Sequence, residues 1–146
     1  MPEKRTMQRA KKDAAEGKAP STQAGEFVRE EMDHIREGKH GARNPKQAIA
    51  IGLSKARRAG VKLPPPKKGA TSAATRKKAQ RDSEKGRKQP NAKPNAKRSR
   101  ASTKALKREG HSAASKKALS KQAKQAASKR RAAKKTAGKK TTAKKR

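Results

Sequence analysis

The residues most able to act chemically in this 146-residue chain are its lysines and arginines, because the sequence concentrates them in one half. Residues 67–146 carry 30 of them against three acids, whereas residues 1–66 carry 15 against eight, so the two halves contribute +27 and +7 of the formal charge of +34. Cations at this density repel one another and attract polyanions such as a phosphate backbone. The sequence therefore predicts nucleic acid as the partner, with DNA expected first and RNA as the alternative.

The basic half has the means to neutralise phosphates but few means to read bases. Lysine outnumbers arginine there and no aromatic residue is present, which favours point-charge contacts over bidentate or stacking recognition of bases. We expect non-specific, histone-like DNA binding, with bridging or compaction of duplexes. The predicted phosphate contacts are Lys97, Arg98, Arg100, Lys104, Lys107, Arg108, Lys116, Lys117, Lys121, Lys124, Lys129, Arg130, Arg131, Lys134, Lys135, Lys139, Lys140, Lys144, Lys145 and Arg146, with Lys55, Arg57 and Arg58 as further candidates.

A second pattern, Glu31-Met32-Asp33-His34, matches the carboxylate–histidine spacing of metal sites in helical bundles. Such sites draw ligands from several helices, and the sequence shows no second acid-rich helix. The other histidines, His40 and His111, have no cysteine, nucleophile pattern or glycine-rich phosphate loop near them. The sequence thus predicts no metal, no cofactor and no enzyme activity.

Apolar spacing predicts a first helix at about residues 25–37. Val28, Met32 and Ile35 share one face at 100° per residue, with Phe27 at its margin. An acidic stripe formed by Glu30, Asp33 and Glu37 lies on the opposite side, where it is expected to pair with Arg57 and Arg58 or to compete with DNA for the basic half.

Capping signals predict a second helix at about residues 45–59. Asn44 offers a capping side chain, Pro45 suits the first helical position, and Gly60 ends the helix. The two helices form a hairpin of about forty residues, a size at which domains usually need a partner. The hairpin is therefore a candidate surface for a homodimer or for a protein partner.

The rest of the chain is predicted to stay unfolded, because it has too little apolar surface to form a core. Leu106 and Leu119 are the only large apolar side chains in residues 67–146, too few to offset about 1–2 kcal/mol of backbone entropy per residue. The predicted fold class is therefore mostly disordered with a small all-α segment. Its domains are a disordered arm (1–20), the helical hairpin (21–63), a Pro/Lys-rich linker (64–98) and a basic low-complexity tail (99–146).

Two stretches of the tail, at about residues 102–108 and 113–135, are rich in alanine and lysine and are competent to form helices. Like charges at positions i and i+4 oppose those helices until phosphates screen them. We therefore expect them to fold on contact with DNA, with Ser112 as the cap of the second.

Two resemblances accompany these patterns. The stretch Arg43-Asn-Pro-Lys-Gln-Ala-Ile-Ala-Ile-Gly-Leu-Ser-Lys-Ala-Arg-Arg-Ala-Gly60 resembles a small bacterial domain family of unknown function, over about residues 25–63. That resemblance implies a compact helical head and no particular activity. The end of the chain, Ala-Ala-Lys-Lys-Thr-Ala-Gly-Lys-Lys-Thr-Thr-Ala-Lys-Lys-Arg at 132–146, is similar to bacterial histone H1-like proteins, which implies non-specific DNA binding and compaction.

Two rival functions stay open from the sequence. One is an RNA- or ribosome-associated basic protein, because phosphate contacts alone do not separate RNA from DNA. The other is an adaptor whose hairpin binds a protein. Membrane binding ranks last, because the basic half lacks the apolar face that enters a bilayer interface. The chain has no cysteine and no long apolar run, so a cytoplasmic, nucleoid-associated protein is expected.

Overall fold

The computed structural model describes residues 1–90 and 92–143, with side chains described up to residue 134. In these residues the chain forms an all-α structure, so the prediction of a mostly disordered chain is wrong. The helices are α1 (Lys4–Ala15), α2 (Pro20–Arg36), α3 (Pro45–Arg58), α4 (Ala73–Lys88), α5 (Ala96–Lys107) and α6 (Lys116–Ala143), with a 3-10 turn at Ser112–Ala114. The division into four segments stays a prediction, although helix contacts cross its boundaries.

The α2–α3 hairpin forms the centre of the molecule. The Asn44 side chain accepts a hydrogen bond from the Gln47 amide at 3.0 Å, as the capping pattern predicts. Helix α2 begins at Pro20, earlier than predicted, because this proline occupies the first helical turn and does not end the preceding segment. The two helices approach closely at Gly52, where an added Cβ would lie 2.7 Å from Val28 Cα.

Helix α1 packs on this hairpin, which overturns the expected disorder of residues 1–20. Met7 and Ala10 join a cluster that contains Phe27 of α2 and Ala56 of α3. Phe27 is 1% exposed and lies at the centre of this cluster, not at the margin of the helix face. The sequence analysis missed α1 because it contributes only these small contacts to a core built elsewhere.

Helix α4 packs on the other side of α3, within the predicted linker. Its contact face carries Ala79 and Gly86, and a Cβ on Gly86 would overlap the Arg57 carbonyl oxygen. Asp82 is buried in the same interface and accepts hydrogen bonds from Ser54 Oγ at 2.6 Å and Arg58 Nε at 2.7 Å. Helix α4 lacks a large apolar face, and close backbone approach together with the ion pair between buried Asp82 and exposed Arg58 fixes it on α3.

Residues 106–119 return to the hairpin and complete its second apolar cluster. Ala113 and Ala114 are buried against Met32 and Ile35, and Leu119 of α6 packs beside them. The Gly41 amide donates to the Leu106 carbonyl at 2.9 Å, and the Ala42 amide donates to the Gly110 carbonyl at 3.0 Å. The tail thus needs no core of its own, because its few apolar groups fill a core that α2 and α3 begin.

Helices α5 and α6 are part of the described structure, so the prediction of a disordered tail is wrong. Each like-charge pair at i and i+4 costs only about 0.2–0.5 kcal/mol, while alanine, lysine, glutamine and leucine all favour helix. The cap of α6 is Ser115, whose Oγ accepts from the Ala118 amide at 3.2 Å, and not Ser112. Helix propensity, the cap and packing on the hairpin therefore outweigh the repulsion between like charges on these helices.

Candidate nucleic-acid interface

Of the predicted phosphate contacts in the tail, those with described side chains lie on α5 and α6, apart from Arg108, which directly follows α5. Fourteen of them have described side chains, every one is exposed, and in the described part of the chain none forms an ion pair with a carboxylate. These are Lys97, Arg98, Arg100, Lys104, Lys107, Arg108, Lys116, Lys117, Lys121, Lys124, Lys129, Arg130, Arg131 and Lys134. The side chains of Lys135, Lys139 and Lys140 are not described, and Lys144, Lys145 and Arg146 lie outside the described residues.

Helix α5 carries a cationic stripe. Its members are Lys97, Arg100, Lys104 and Lys107, whose spacing of three, four and three residues places them on one helix face. Leu106 lies on the opposite face and is half-buried. Because α5 contains no acid and buries no residue, the stripe is open to a ligand along its whole length.

Helix α6 presents its charge in a similar way. Leu119 faces the core, and Lys117, Lys121 and Lys124 lie on the opposite side of the helix. The helix has 28 residues and no acid, which corresponds to a length of about 42 Å at 1.5 Å per residue. That length matches about 12 base pairs of duplex at ~3.4 Å each.

Helix α4 adds a third cationic face that the sequence analysis placed in a linker. Opposite its buried Ala79 and Gly86 it exposes lysines and arginines, with one carboxylate, Glu84, among them. The signal that could have found α4 was the cap, because Ser72 Oγ accepts from the Thr75 amide at 3.2 Å. The exposed cations of this face are Lys77, Lys78, Arg81, Lys85, Arg87 and Lys88.

The three candidates on α3 have partners within the protein, although Arg58 is exposed. Lys55 Nζ lies 2.7 Å from Glu31 Oε2, and Arg58 is bound to Asp82. Arg57 is buried and donates from Nη2 to the Pro64 carbonyl at 3.2 Å. Burial lowers the pKa of Arg57, while the nearby Asp82 opposes that shift. All three cations are thus engaged with groups of this protein.

The carboxylates of the acidic stripe on α2 pair with Arg36, Lys39 and Lys55, and not with Arg57 or Arg58. Asp33 Oδ1 lies 3.3 Å from Arg36 Nη1, and Glu37 Oε2 lies 2.9 Å from Lys39 Nζ. Glu30 is 5% exposed and pairs with Lys55. The carboxylates of the N-terminal half are therefore occupied by neighbouring cations and do not reach the basic helices.

Glu31, His34 and His40 form a second group of polar side chains, on α2 and the loop that follows it. Gly38, with φ of +74°, reverses the chain after α2 and returns His40 alongside the helix. His40 Nε2 lies 3.0 Å from Glu31 Oε1, and His34 Nε2 lies 2.9 Å from Glu3 Oε1. Hydrogen bonding by His34, and then by Lys39, lowers the pKa of Glu3. The Glu-x-x-His spacing identifies Glu31 and His34, but nothing in the sequence indicates that a loop brings His40 to them.

Comparison with known families adds a match for the centre of the chain. Residues 20–68 match a family of unknown function (DUF6496), a span that covers α2, α3 and the segment after them. The resemblance to a domain family of unknown function is thereby confirmed. No curated protein and no solved structure matches the chain.

The helices were also compared with the requirements of a membrane span. Among the described residues, no helix combines the length and the apolar character needed to cross a bilayer.

Proposed function

We propose that this protein binds duplex DNA non-specifically through the exposed cations of α5 and α6, with α4 as a supporting face. The observation that carries the proposal is the contrast in pairing between the two halves. Most described carboxylates pair with cations of the N-terminal half. The fourteen lysine and arginine side chains of residues 97–134, in contrast, face solvent without a carboxylate partner. A phosphate backbone supplies the missing negative charges.

The helical form of the tail suits this role. An α-helix with side chains is about 10–12 Å in diameter, and the major groove of B-DNA is about 12 Å wide. Cations on several sides of α6 are then available to phosphates on both walls of the groove. A preformed helix also avoids the entropy of ordering a disordered segment at the moment of binding.

The same side chains argue for low sequence specificity. Base recognition uses bidentate arginine, asparagine or glutamine contacts on a frame that fixes their register. The described part of α6 offers Gln122 and Gln125 among many lysines and has no aromatic residue. Affinity is therefore electrostatic, as the likeness of residues 132–146 to histone H1-like tails also suggests.

The test compares two triple variants of the full-length protein with the same loss of charge. The first, K117Q/K121Q/K124Q, removes the outer face of α6; the control, K4Q/K11Q/K46Q, removes three exposed lysines of the N-terminal half. Glutamine retains helix propensity close to that of lysine. Binding to a fluorescent 24-base-pair duplex is followed by anisotropy over a range of KCl concentrations.

If the α6 lysines contact phosphates, the first variant reduces the slope of log K against log salt by about 2.7, since each contact contributes ~0.9. The control keeps the wild-type slope. Equal effects of both variants would show that net charge alone drives binding and would refute the assignment to α6. Displacement of the duplex by a structured RNA at a tenfold lower concentration than by unlabelled DNA would favour RNA as the ligand.

A further inference from the structure

We propose that Glu31, His34 and His40 form a binding site for one divalent transition-metal ion of the zinc class. Each residue offers one ligand atom, and these atoms lie within 4.8 Å of one another. Two imidazole nitrogens and a carboxylate oxygen are a ligand set that Zn²⁺ takes at catalytic sites, where a fourth position is open. The proposal concerns side chains other than the proposed DNA contacts and does not depend on the proposed function.

Burial separates this cluster from an ordinary surface group of charged residues. The Glu31 side chain is 1% exposed, and those of His34 and His40 are 14% and 12% exposed. A carboxylate buried to this degree is costly unless a cation or a set of hydrogen bonds compensates it. Lys55 Nζ lies 2.7 Å from Glu31 Oε2 but outside hydrogen-bonding alignment, which leaves Oε1 directed at His40.

The His40 ring has the arrangement of a metal ligand. Its Nδ1 lies 3.1 Å from the Gly41 carbonyl oxygen, which accepts a hydrogen bond in the tautomer that carries the proton on Nδ1. With the proton on Nδ1, neutral His40 presents a lone pair at Nε2, and that lone pair faces the Glu31 oxygen 3.0 Å away. Two acceptors at this distance need a cation between them, either a second proton on the ring or a metal ion. A backbone carbonyl that fixes the second nitrogen is a common feature of metal-bound histidines.

His34 has a matching support from the start of α1. Its Nε2 lies 2.9 Å from Glu3 Oε1, a carboxylate–histidine pair of the kind that orients metal ligands. Glu3 is thus a positioning residue if His34 binds through Nδ1, and a fourth ligand if it binds through Nε2. Glu3, Glu30, Lys39 and Lys55 are among the charged groups beside the cluster, and further charged side chains, Arg5, Asp33 and Glu37, line the same cleft as His34.

The cluster has to contract on binding. Ligand atoms about 2.0–2.1 Å from a tetrahedral ion lie about 3.3–3.4 Å apart, so a pair separated by up to 4.8 Å has to close by up to about 1.4 Å. His40 lies on the loop between α2 and α3, where such a shift is easiest. In this arrangement Glu31 binds through Oε1 alone and Oε2 stays with Lys55.

The test uses untagged full-length protein, stripped with a chelator and titrated with Co²⁺ in the absence of DNA. Tetrahedral Co²⁺ has strong visible bands, and Zn²⁺ added afterwards reports the affinity of the same site by displacing it. The variants are H34Q and H40Q. The control is H111Q, which removes the histidine that lies outside the cluster, with the fold of each checked by circular dichroism.

The proposal predicts one equivalent of Co²⁺, displaced by Zn²⁺, and a loss of affinity of at least about 100-fold in H34Q and H40Q with little change in H111Q. Because Glu3 is half exposed, E3Q keeps the fold and is expected to weaken binding about 10–100-fold, as other supporting residues do. The proposal is overturned if the wild type takes up no Co²⁺, or if H111Q weakens binding as much as H40Q does. Uptake that E3Q leaves unchanged would remove Glu3 from the site.

Discussion

Replacement of Gly41 by alanine is expected to detach residues 106–115 from the helical hairpin. The loop between α2 and α3 touches this segment backbone to backbone, and a Cβ on Gly41 would overlap the Glu109 carbonyl oxygen. A backbone atom is unable to rotate away as a side chain would. The clash is therefore relieved only when one of the two loops moves.

The size of the effect follows from the contacts that would be lost. Two backbone hydrogen bonds, from Gly41 to Leu106 and from Ala42 to Gly110, contribute about 0.5–1.5 kcal/mol each. Exposure of the Ala113 and Ala114 methyl groups removes about 0.8 kcal/mol apiece. We expect Gly41→Ala to lower the free energy of unfolding by about 2.5–4.5 kcal/mol.

Gly110→Ala is the matched control for this change. Gly110 lies in the same interface, has no positive φ, and an added Cβ would meet no atom within 4 Å. Its free energy of unfolding should stay within about 0.5 kcal/mol of the wild type. Urea unfolding followed by circular dichroism measures both variants, and hydrogen exchange at the Gly41 and Ala42 amides reports the docking itself. Wild-type stability and protected amides in Gly41→Ala would refute the packing of this segment on the hairpin.

Three further predictions concern the helices around the hairpin, and urea unfolding measures each of them. Gly86→Ala should detach α4 and lower the free energy of unfolding by at least about 1–3 kcal/mol, because the added Cβ would overlap the Arg57 carbonyl oxygen. An unchanged unfolding midpoint would contradict the α3–α4 contact. Asp82→Asn should lower the free energy of unfolding by about 1–3 kcal/mol, because it weakens the hydrogen bonds to Ser54 and Arg58. An unchanged stability would show that this buried carboxylate does not stabilise the fold. Gly25→Ala lies within α2 with no atom in the way, so it should stabilise the protein by about 0.5–1 kcal/mol; a loss of stability would place Gly25 in a contact that the structure does not contain.

The parts of the fold that could be predicted from sequence are those with local signals. Asn44 and Pro45 mark the start of α3 by capping chemistry alone, and the apolar spacing of Val28, Met32 and Ile35 marks the buried face of α2. Helix α4 also had a cap at Ser72, but its buried face consists of small residues, so no apolar periodicity identified it.

The parts that could not be predicted depend on contacts between distant segments. Ala113 and Ala114 carry little apolar area, and only the groove beside Met32 and Ile35 makes them core residues. The exposed cations of α5 and α6 could be named from composition, but their faces required the helices to be known. His40 reaches Glu31 through a turn at Gly38, and a helical spacing rule considers only residues on the same helix.

The central claim is that unpaired cations on formed helices bind polyphosphate, and the salt dependence of DNA binding tests it most directly. Anisotropy of a short labelled duplex with the wild-type, full-length protein should show affinity falling by about 10³-fold or more between 50 and 200 mM KCl, as for six or more phosphate contacts. The α-helical circular dichroism signal should already be present before DNA is added. An affinity that is absent at 50 mM KCl, or that stays constant across this range, would contradict the account.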